Sequence, residues 1–410
     1  MIVKPKILVL YHFYFPDDVA GSRHFQDLCE DLAELNWDVE VWPCNRKHGE
    51  PNKKVKLNES WHDVKISRVW RPVFSQAEKV GRVLNSVWMI LAWVLGWIFY
   101  FGERPQVVLI GTDPILGLLS AVVIRLVGPK VKIVHWCFDL YPEAAISDQR
   151  IKQNSLVHSV FSWAMENAYK ACDAIVDLGS CMKTRLQKYA SKAIRLTLTP
   201  WAFYEPSEIA MPNPEERHKL FGDSQLGILY SGNFGLAHEA DLSLKLAGKL
   251  PSEKIKFCFS IRGHRAELLK KLCQESELLV NFTDFAHESG LNKRLEAADI
   301  HLVSLKSAWT GTVVPSKFFG AIAAGRPILF EGAEDSAIAR WIRQHGLGWV
   351  LTENSMNEVE SDLKKIANDP ERLKNLQQHC LRVYNDHFCR KQIMSKWNDL
   401  LKEVVSTKQL

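Results

Sequence analysis

Two glycine-bearing loops and one lysine carry the spacing that could hold a phosphate in this sequence of 410 residues. The lysine lies in TGTVVPSKFFGAIAAGRPILFEG (310–332). Pro315 and Ser316 read as a helix start, proline suiting the first helical position and serine being available as a cap. Lys317 then falls in the first turn, where a positive charge opposes the helix dipole unless an anion neutralises it. A diphosphate seated there would remove the conflict. The small residues Gly320, Ala321, Ala323, Ala324 and Gly325 let the helix pack closely, which a purely structural role would also require. In YSGNFGLAHEAD (230–241), Gly232 and Gly235 bracket Asn233. Such a loop could wrap a phosphate with backbone donors while Asn233 and His238 face a cleft. In FYFPDDVAGSRHF (13–25), Gly21 would let amides approach a phosphate, Ser22 would open a helix, and Arg23 would add a two-pronged contact. A plain strand-to-helix turn with a serine cap explains the same residues equally well. GxGxxG is absent, which disfavours a standard dinucleotide site.

Carboxylates come from HWCFDLYPE (135–143), where Asp139 or Glu143 could orient an acceptor hydroxyl or a sugar ring. Capping of the next turn is an equal alternative for Asp139. His135 lies inside a strand and reads as a satisfied core histidine. Arg262 and His264 follow IKFCFSI and could approach a nucleotide, with a solvated loop as the competing reading. Asp17 and Asp18 read as a solvated turn, and no DxD follows a strand as a metal site would require.

These loops need a sheet to hold them. Short β-branched runs alternate with helical stretches, the rhythm of a parallel sheet covered on both faces. Strands are expected at 6–12, 38–43, 65–70, 107–111, 132–138, 174–179 and 194–200. Helices are expected near 22–36, 80–101, 114–127, 155–171 and 180–189. Residues 201–225, rich in Pro, Glu and Ser, read as a linker. The rhythm restarts with strands at 227–232, 255–261, 280–285, 300–305, 327–332 and 348–351, and helices close the chain from about 355. Two α/β domains follow, 1–200 and 226–385, with a terminal helical segment 386–410. Ligands are expected in a cleft at the strand C-termini.

Composition agrees with a globular chain: 47% hydrophobic, 24% charged, net charge +5. That bias is too weak for nucleic-acid binding. Nine cysteines without CxxC spacing read as buried free thiols in a reducing cytoplasm. The first residues lack the features of a signal peptide and read as a strand. The least soluble-looking segment is LNSVWMILAWVLGWIFYF (84–101), uncharged, with Trp88, Trp93 and Trp97, flanked by Arg82 and Arg104. It reaches the lower limit of a membrane span. A span would put neighbouring strands of one sheet on opposite sides of the bilayer, so the preferred reading is a helix lying in the interface or lining a route for a lipid-linked acceptor. A fully buried sheet-covering helix is the alternative.

The opening FYFPDDVAGSRHF, DLYPEAA (139–145), YSGNFGLAH (230–238), LEAADIHLVSLK (295–306) and VPSKFFGAIAAGRPILF (314–330) together resemble bacterial GT-B glycosyltransferases of the family 4 type, the subgroup that builds exopolysaccharide and O-antigen. HFCRKQIMSKWNDLL (387–401) is similar to the helix with which these enzymes return to their first domain. The resemblance implies two Rossmann-like domains and a hexosyl-type transferase in the cytoplasm, at the inner face of the cell membrane. It implies a nucleotide-diphosphate-sugar donor, a glycan or polyprenyl-linked acceptor, peripheral membrane contact through 84–101, and neither cofactor nor metal. It further implies retention of configuration, with the donor's β-phosphate taking the acceptor proton, and Lys317, Asn233, Ser316 and the Gly21 loop stabilising the departing diphosphate. One departure stands out: the glutamate pair of the wider family aligns with Thr312 and Gly320. A nucleotide-sugar epimerase of the same fold and a catalytically silent sugar-nucleotide-binding partner of a membrane complex are the alternatives.

Overall fold

The computed structural model describes residues 4–407 apart from 77, 264 and 287. The chain forms two compact units, one of residues 1–199 with 394–410, the other of residues 200–393.

The first unit runs β1 (Lys6–Leu10), α1 (Ala20–Glu34), β2 (Asp38–Val41), β3 (Asn58–Trp61), β4 (Val64–Ser67), α2 (Lys79–Ile98), β5 (Val107–Ile110), α3 (Ser120–Val127), β6 (Lys132–Trp136), α4 (Glu143–Ser147), α5 (Leu156–Lys170), β7 (Ala174–Asp177), α6 (Ser180–Leu186) and β8 (Ile194–Thr197). Its eight strands lie in the order β3-β4-β2-β1-β5-β6-β7-β8, parallel except for β3. The central strands are continuous apolar runs such as Ile7–Leu10 and Val107–Ile110, all buried, as strands covered on both faces must be. The β3–β4 hairpin was not legible: NESW lacks an apolar run, and its turn rests on His62 and Asp63, both at positive φ. Helix α2 lies on this sheet through a stripe at every fourth residue, Asn85, Met89, Trp93 and Trp97, all buried. Trp93 Nε1 donates to the Trp42 carbonyl at 2.8 Å. The helix is therefore neither fully buried nor free to leave the sheet.

The second unit continues with α7 (Pro214–Phe221), β9 (Leu226–Asn233), α8 (Asp241–Lys249), β10 (Ile255–Arg262), α9 (Ala266–Glu275), β11 (Asn281–Thr283), α10 (Glu288–Ala297), β12 (Ile300–Leu305), α11 (Lys317–Ala323), β13 (Ile328–Gly332), α12 (Ala337–His345), β14 (Gly348–Leu351), α13 (Met356–Ala367) and α14 (Pro370–His387). Its six parallel strands are ordered β11-β10-β9-β12-β13-β14. The last helix, α15 (Arg390–Ser406), begins in this unit and from Met394 belongs to the first. There Trp397 is buried with its ring 5.0 Å from Trp136, and Asn398 accepts from Trp37 Nε1 at 3.0 Å.

Residues 201–225 are not a tether but part of the second unit. Tyr204 donates to Glu296, and Arg326 reaches the Ala210 carbonyl at 3.1 Å. Ile209 packs on Gly325, where a Cβ would meet it at 2.7 Å. Arg217 of α7 bridges to Asp299 at 2.8 Å, and the same carboxylate oxygen accepts from the Gly227 amide at the start of β9 at 2.7 Å. Polar composition marked the segment as a linker because its anchors are carbonyls and charged groups rather than an apolar stripe. Arg217→Ala should therefore destabilise the second unit by about 2 kcal/mol, the scale of a hydrogen bond to a charged group. A thermal or urea melt unchanged from the parent would restore the tether reading.

Candidate functional site

In each sheet the connections diverge at one point, and crevices form where two neighbouring strands send their chains to opposite sides. In the second unit that point lies between β9 and β12. Strand β9 ends in Gly232, at φ +131°, and Asn233. The Phe234 amide donates to the Arg262 carbonyl at 2.7 Å, fixing the loop to the end of β10. The Asn233 side chain occupies the space a Cβ at Gly263 would need, with Oδ1 2.2 Å from that position. Arg265, which the sequence reading had not singled out, donates to the His238 carbonyl at 2.9 Å and holds the far end of the loop.

Lys317, the first residue of α11, bends back onto this loop. Its Nζ donates to the Asn233 carbonyl at 3.1 Å, stands 3.5 Å from His238 Nε2 and lies 5.2 Å from the centroid of the Tyr230 ring. His238 Nδ1 is 2.7 Å from the Ser304 carbonyl, so it is the donor and Nε2 faces the ammonium as an acceptor. Burial first, then the positive charge of Lys317, hold His238 down to about 3, and burial lowers Lys317 to about 8. No ion pair among the described residues involves Lys317; its partners are a carbonyl, an imidazole lone pair and a ring face. A cation so placed is stabilised by any anion that arrives.

The helix start differs from expectation. Ser316 is exposed and its side chain makes no capping bond, Pro315 is buried, and α11 has only seven residues. The dipole contributes little, and the site rests on the ammonium itself. The start of α8 is occupied by the protein: Glu331, buried at the end of β13, accepts the Leu242 and Ser243 amides at 3.0 and 2.9 Å and the Ser243 hydroxyl. The FEG that closes β13 was the available signal for this glutamate. Thr312 is buried and bonds the Trp309 carbonyl at 2.8 Å. At Gly320 a Cβ would meet only Leu295, at 3.8 Å, so packing does not exclude a larger residue there. Arg262 is exposed with its guanidinium 3.9 Å from the Phe285 ring centroid, apart from the Lys317 cluster, and His264 lies outside the described residues.

The first unit has its own divergence, between β1 and β5. His12 and Asp113 stand just beyond these strands, with His12 Nδ1 3.2 Å from Asp113 Oδ1. Arg71, fully buried, brings NH1 to 3.1 Å from His12 Nε2, while its Nε and NH2 have no partner. Burial opposes protonation of His12, but Asp113 outweighs it and raises the ring to about 9. A proton on Nε2 would point at a guanidinium donor, so in this arrangement Nδ1 donates to Asp113 and Nε2 accepts. Half-buried Asp139 sits in the loop after β6, its carboxyl raised to about 6 by burial and by Asp113. Glu143 is displaced from the candidate set: it is buried, accepts from the Tyr189 hydroxyl at 2.7 Å and pairs with Lys188.

The first glycine loop is also revised. Helix α1 begins at Ala20, and Ser22 is buried inside its first turn, donating to the Asp17 carbonyl at 3.2 Å. At Gly21 a Cβ would stand 2.1 Å from the Tyr11 hydroxyl, so this glycine makes room for Tyr11. Arg23 is half-buried in the same turn. Asp17 is buried and accepts the His48 amide at 2.8 Å, not solvated. His135 is a core histidine, bonded to the Ile110 carbonyl at 2.8 Å and lowered to about 4 by burial. All nine cysteines are free, seven of them buried, and among the described residues no group of three or more His, Cys, Asp or Glu could hold a metal.

A Cβ at Gly232 would meet Lys317 Cε at 2.7 Å. Gly232→Ala should cost roughly 1 kcal/mol or more, from the positive φ and this clash. The clash component should vanish in a Lys317→Ala background, so a double-mutant cycle by urea denaturation should give a non-zero coupling. Strict additivity would mean that the two side chains do not meet.

No protein-family model matches the chain. A relative named probable glycosyltransferase WbjE, of Pseudomonas aeruginosa, is 27% identical over 258 residues, covering 60% of this chain and 62% of the relative. Sucrose-phosphate synthase from Thermosynechococcus elongatus superposes with TM-score 0.74 at 14% identity, over 99% of this chain and 100% of that one. HepE of Anabaena, in complex with UDP-glucose, gives 0.66 at 12% identity over 97% and 99%. WaaG, a glycosyltransferase involved in lipopolysaccharide biosynthesis, gives 0.65 at 13% over 96% and 99%. The chain has the GT-B glycosyltransferase fold, as its family-like segments implied.

Proposed function

We propose that this chain is a glycosyltransferase that moves a sugar from a nucleotide-diphosphate donor to a glycan or polyprenyl-linked acceptor in cell-surface polysaccharide synthesis. The observation that carries the reading is Lys317, a cation without a carboxylate partner at the β9/β12 divergence. The relatives' names, and the UDP-glucose bound to HepE, support a nucleotide-sugar as the ligand.

In this scheme the donor diphosphate sits against Lys317 and the Gly232–Asn233 loop. The bond between the sugar's anomeric carbon and the β-phosphate oxygen breaks, and the acceptor hydroxyl oxygen bonds to that carbon. The acceptor proton passes to a β-phosphate oxygen, with retention of configuration. Lys317 stabilises the charge that develops on the leaving diphosphate. Asp139 and Asp113 orient the acceptor hydroxyl; no metal takes part. Arg23 and Arg262 supply outer positive charge. The enzyme works in the cytoplasm, touching the inner face of the membrane through residues 84–101. Thr312 and Gly320, in place of the glutamate pair, favour one rival, a silent nucleotide-sugar-binding partner.

A panel of UDP-, GDP- and dTDP-sugars should reveal one donor that the protein hydrolyses slowly without acceptor. Binding without turnover, with or without extracts of lipid-linked glycans, would favour the silent partner. Lys317→Ala should lower turnover roughly 100- to 1,000-fold, the scale of one lost oxyanion donor. Unchanged turnover would sink the assignment. Because the charged ammonium binds the diphosphate and its free-state pKa is about 8, UDP affinity should be flat below that pH. Above it, affinity should fall by up to roughly tenfold per pH unit. Calorimetry on the parent and on Lys317→Ala separates this slope from other titrations, since the variant should lack it.

A further inference from the structure

Exposed apolar side chains are distributed very unevenly. Among the described residues, all the large ones except Met211, Leu268, Leu272 and Leu279 belong to the first unit, and all of those except Leu35 and Leu57 fall between residues 70 and 163. Three helices on one face of the sheet carry most of them. Helix α3 and the short turn before it (117–119) pack against both α2 and α5 and so lie between them. The buried stripe of α2 is matched by an opposite stripe, Val83, Val87, Leu91 and Leu95, that faces solvent. On α5 the first turns expose Leu156 at 80%, Val160 at 54% and Trp163 at 69%. Leu126 of α3 is also exposed. A monomer rarely leaves contiguous apolar surface of more than about 300–600 Å² uncovered.

Charge narrows the occupant. From 79 to 101 the only charged residues are Lys79 and Arg82; from 149 to 165 they are Arg150 and Lys152. All four are positive, although Arg150 also pairs with Asp148. Apolar faces edged by cations and studded with exposed tryptophans, here Trp70, Trp88 and Trp163, suit the boundary between acyl chains and anionic headgroups. A protein partner or a second copy would gain nothing from a rim of a single sign. The burial of Met89, Trp93 and Trp97 on the sheet keeps α2 flat against the protein, which excludes insertion across the bilayer. Tyr141 lies within electrostatic reach of Arg82 and Arg150 and also of Asp113 and Asp139. The basic rim therefore borders the loops that carry the acceptor-side carboxylates.

We propose that α2 and α5 together form a docking face for an anionic lipid bilayer, lying in the plane of the interface with α3 between them. This rests on the membrane contact proposed above, adding a second helix and a lipid charge to it. A lipid-anchored acceptor could then reach Asp113 and Asp139 without leaving the membrane.

Flotation of the intact protein with vesicles of phosphatidylcholine, alone or with phosphatidylglycerol, tests this. Binding should require phosphatidylglycerol and weaken with salt. Leu91→Gln/Leu95→Gln and Val160→Ser/Trp163→Ser should each lower binding at least about tenfold, from the apolar area removed. Both pairs are exposed, so melting temperature and donor hydrolysis in solution should be unchanged. Parental binding by the Val160/Trp163 pair would overturn the role of α5, and equal binding to both vesicle types would overturn the lipid charge. Dimerisation relieved by Trp163→Ser, with no vesicle binding, would assign the face to a second copy and overturn the proposal. Vesicle binding without hydrolysis of any donor would instead defeat the transferase reading and leave the docking face standing.

Discussion

An ammonium group withdrawn from water and given no counter-charge is the constraint around which the second unit is arranged. The free energy lost by removing Lys317 from solvent is only partly returned by a carbonyl, a ring face and an imidazole lone pair. Each of those partners must be held neutral and in place. His238 stays uncharged because its Nδ1 proton is committed to Ser304 and because a second cation beside Lys317 would repel it. The Asn233 carbonyl is presented by a backbone that turns at Gly232, and its side chain is seated in the gap left by Gly263. The nearby carboxylate that could have quenched the charge, Glu331, is committed to two amides at the start of α8. The arrangement leaves a positive charge unmet where two strands part.

The first unit solves the converse problem. Its divergence gathers two carboxylates, Asp113 and Asp139, close enough for each to oppose ionisation of the other. His12 takes up part of that charge on one ring nitrogen and receives Arg71 on the other. In both units the framework is the same: parallel strands, a point of divergence, and polar groups on the loops that leave it. What differs is the sign of the charge left over.

Much of this was readable in residue order, because parallel strands buried on both faces must be apolar throughout. Runs such as KILVL, VVLI and IHLVSL could hardly be anything else. Lys317 was conspicuous for a related reason, a long cation among small residues at a helix start. What stayed hidden depends on partners distant in sequence. Nothing local to Gly21 indicates that Tyr11 needs its space, and nothing in FDLYPEA says that Glu143 will be claimed by Tyr189 and Lys188. The segment 201–225 misled for the same reason, since its polarity serves Asp299, Glu296 and Arg326 rather than water. Composition reports how polar a segment is, but not which group its polarity satisfies.

Helix α2 is apolar on two sides, and chain synthesis proceeds from one end. When it leaves the ribosome, the strands from β5 onward do not yet exist, and half of the sheet that will cover Met89, Trp93 and Trp97 is missing. At that moment 84–101 offers some eighteen uncharged residues with neither face covered, close in length and composition to a membrane anchor. Its final position is thus decided by a race between completion of the sheet and capture by the bilayer or by the machinery that sorts nascent membrane proteins. A slow stretch of translation just after residue 101 would change where the helix ends up without altering a single contact in the finished fold.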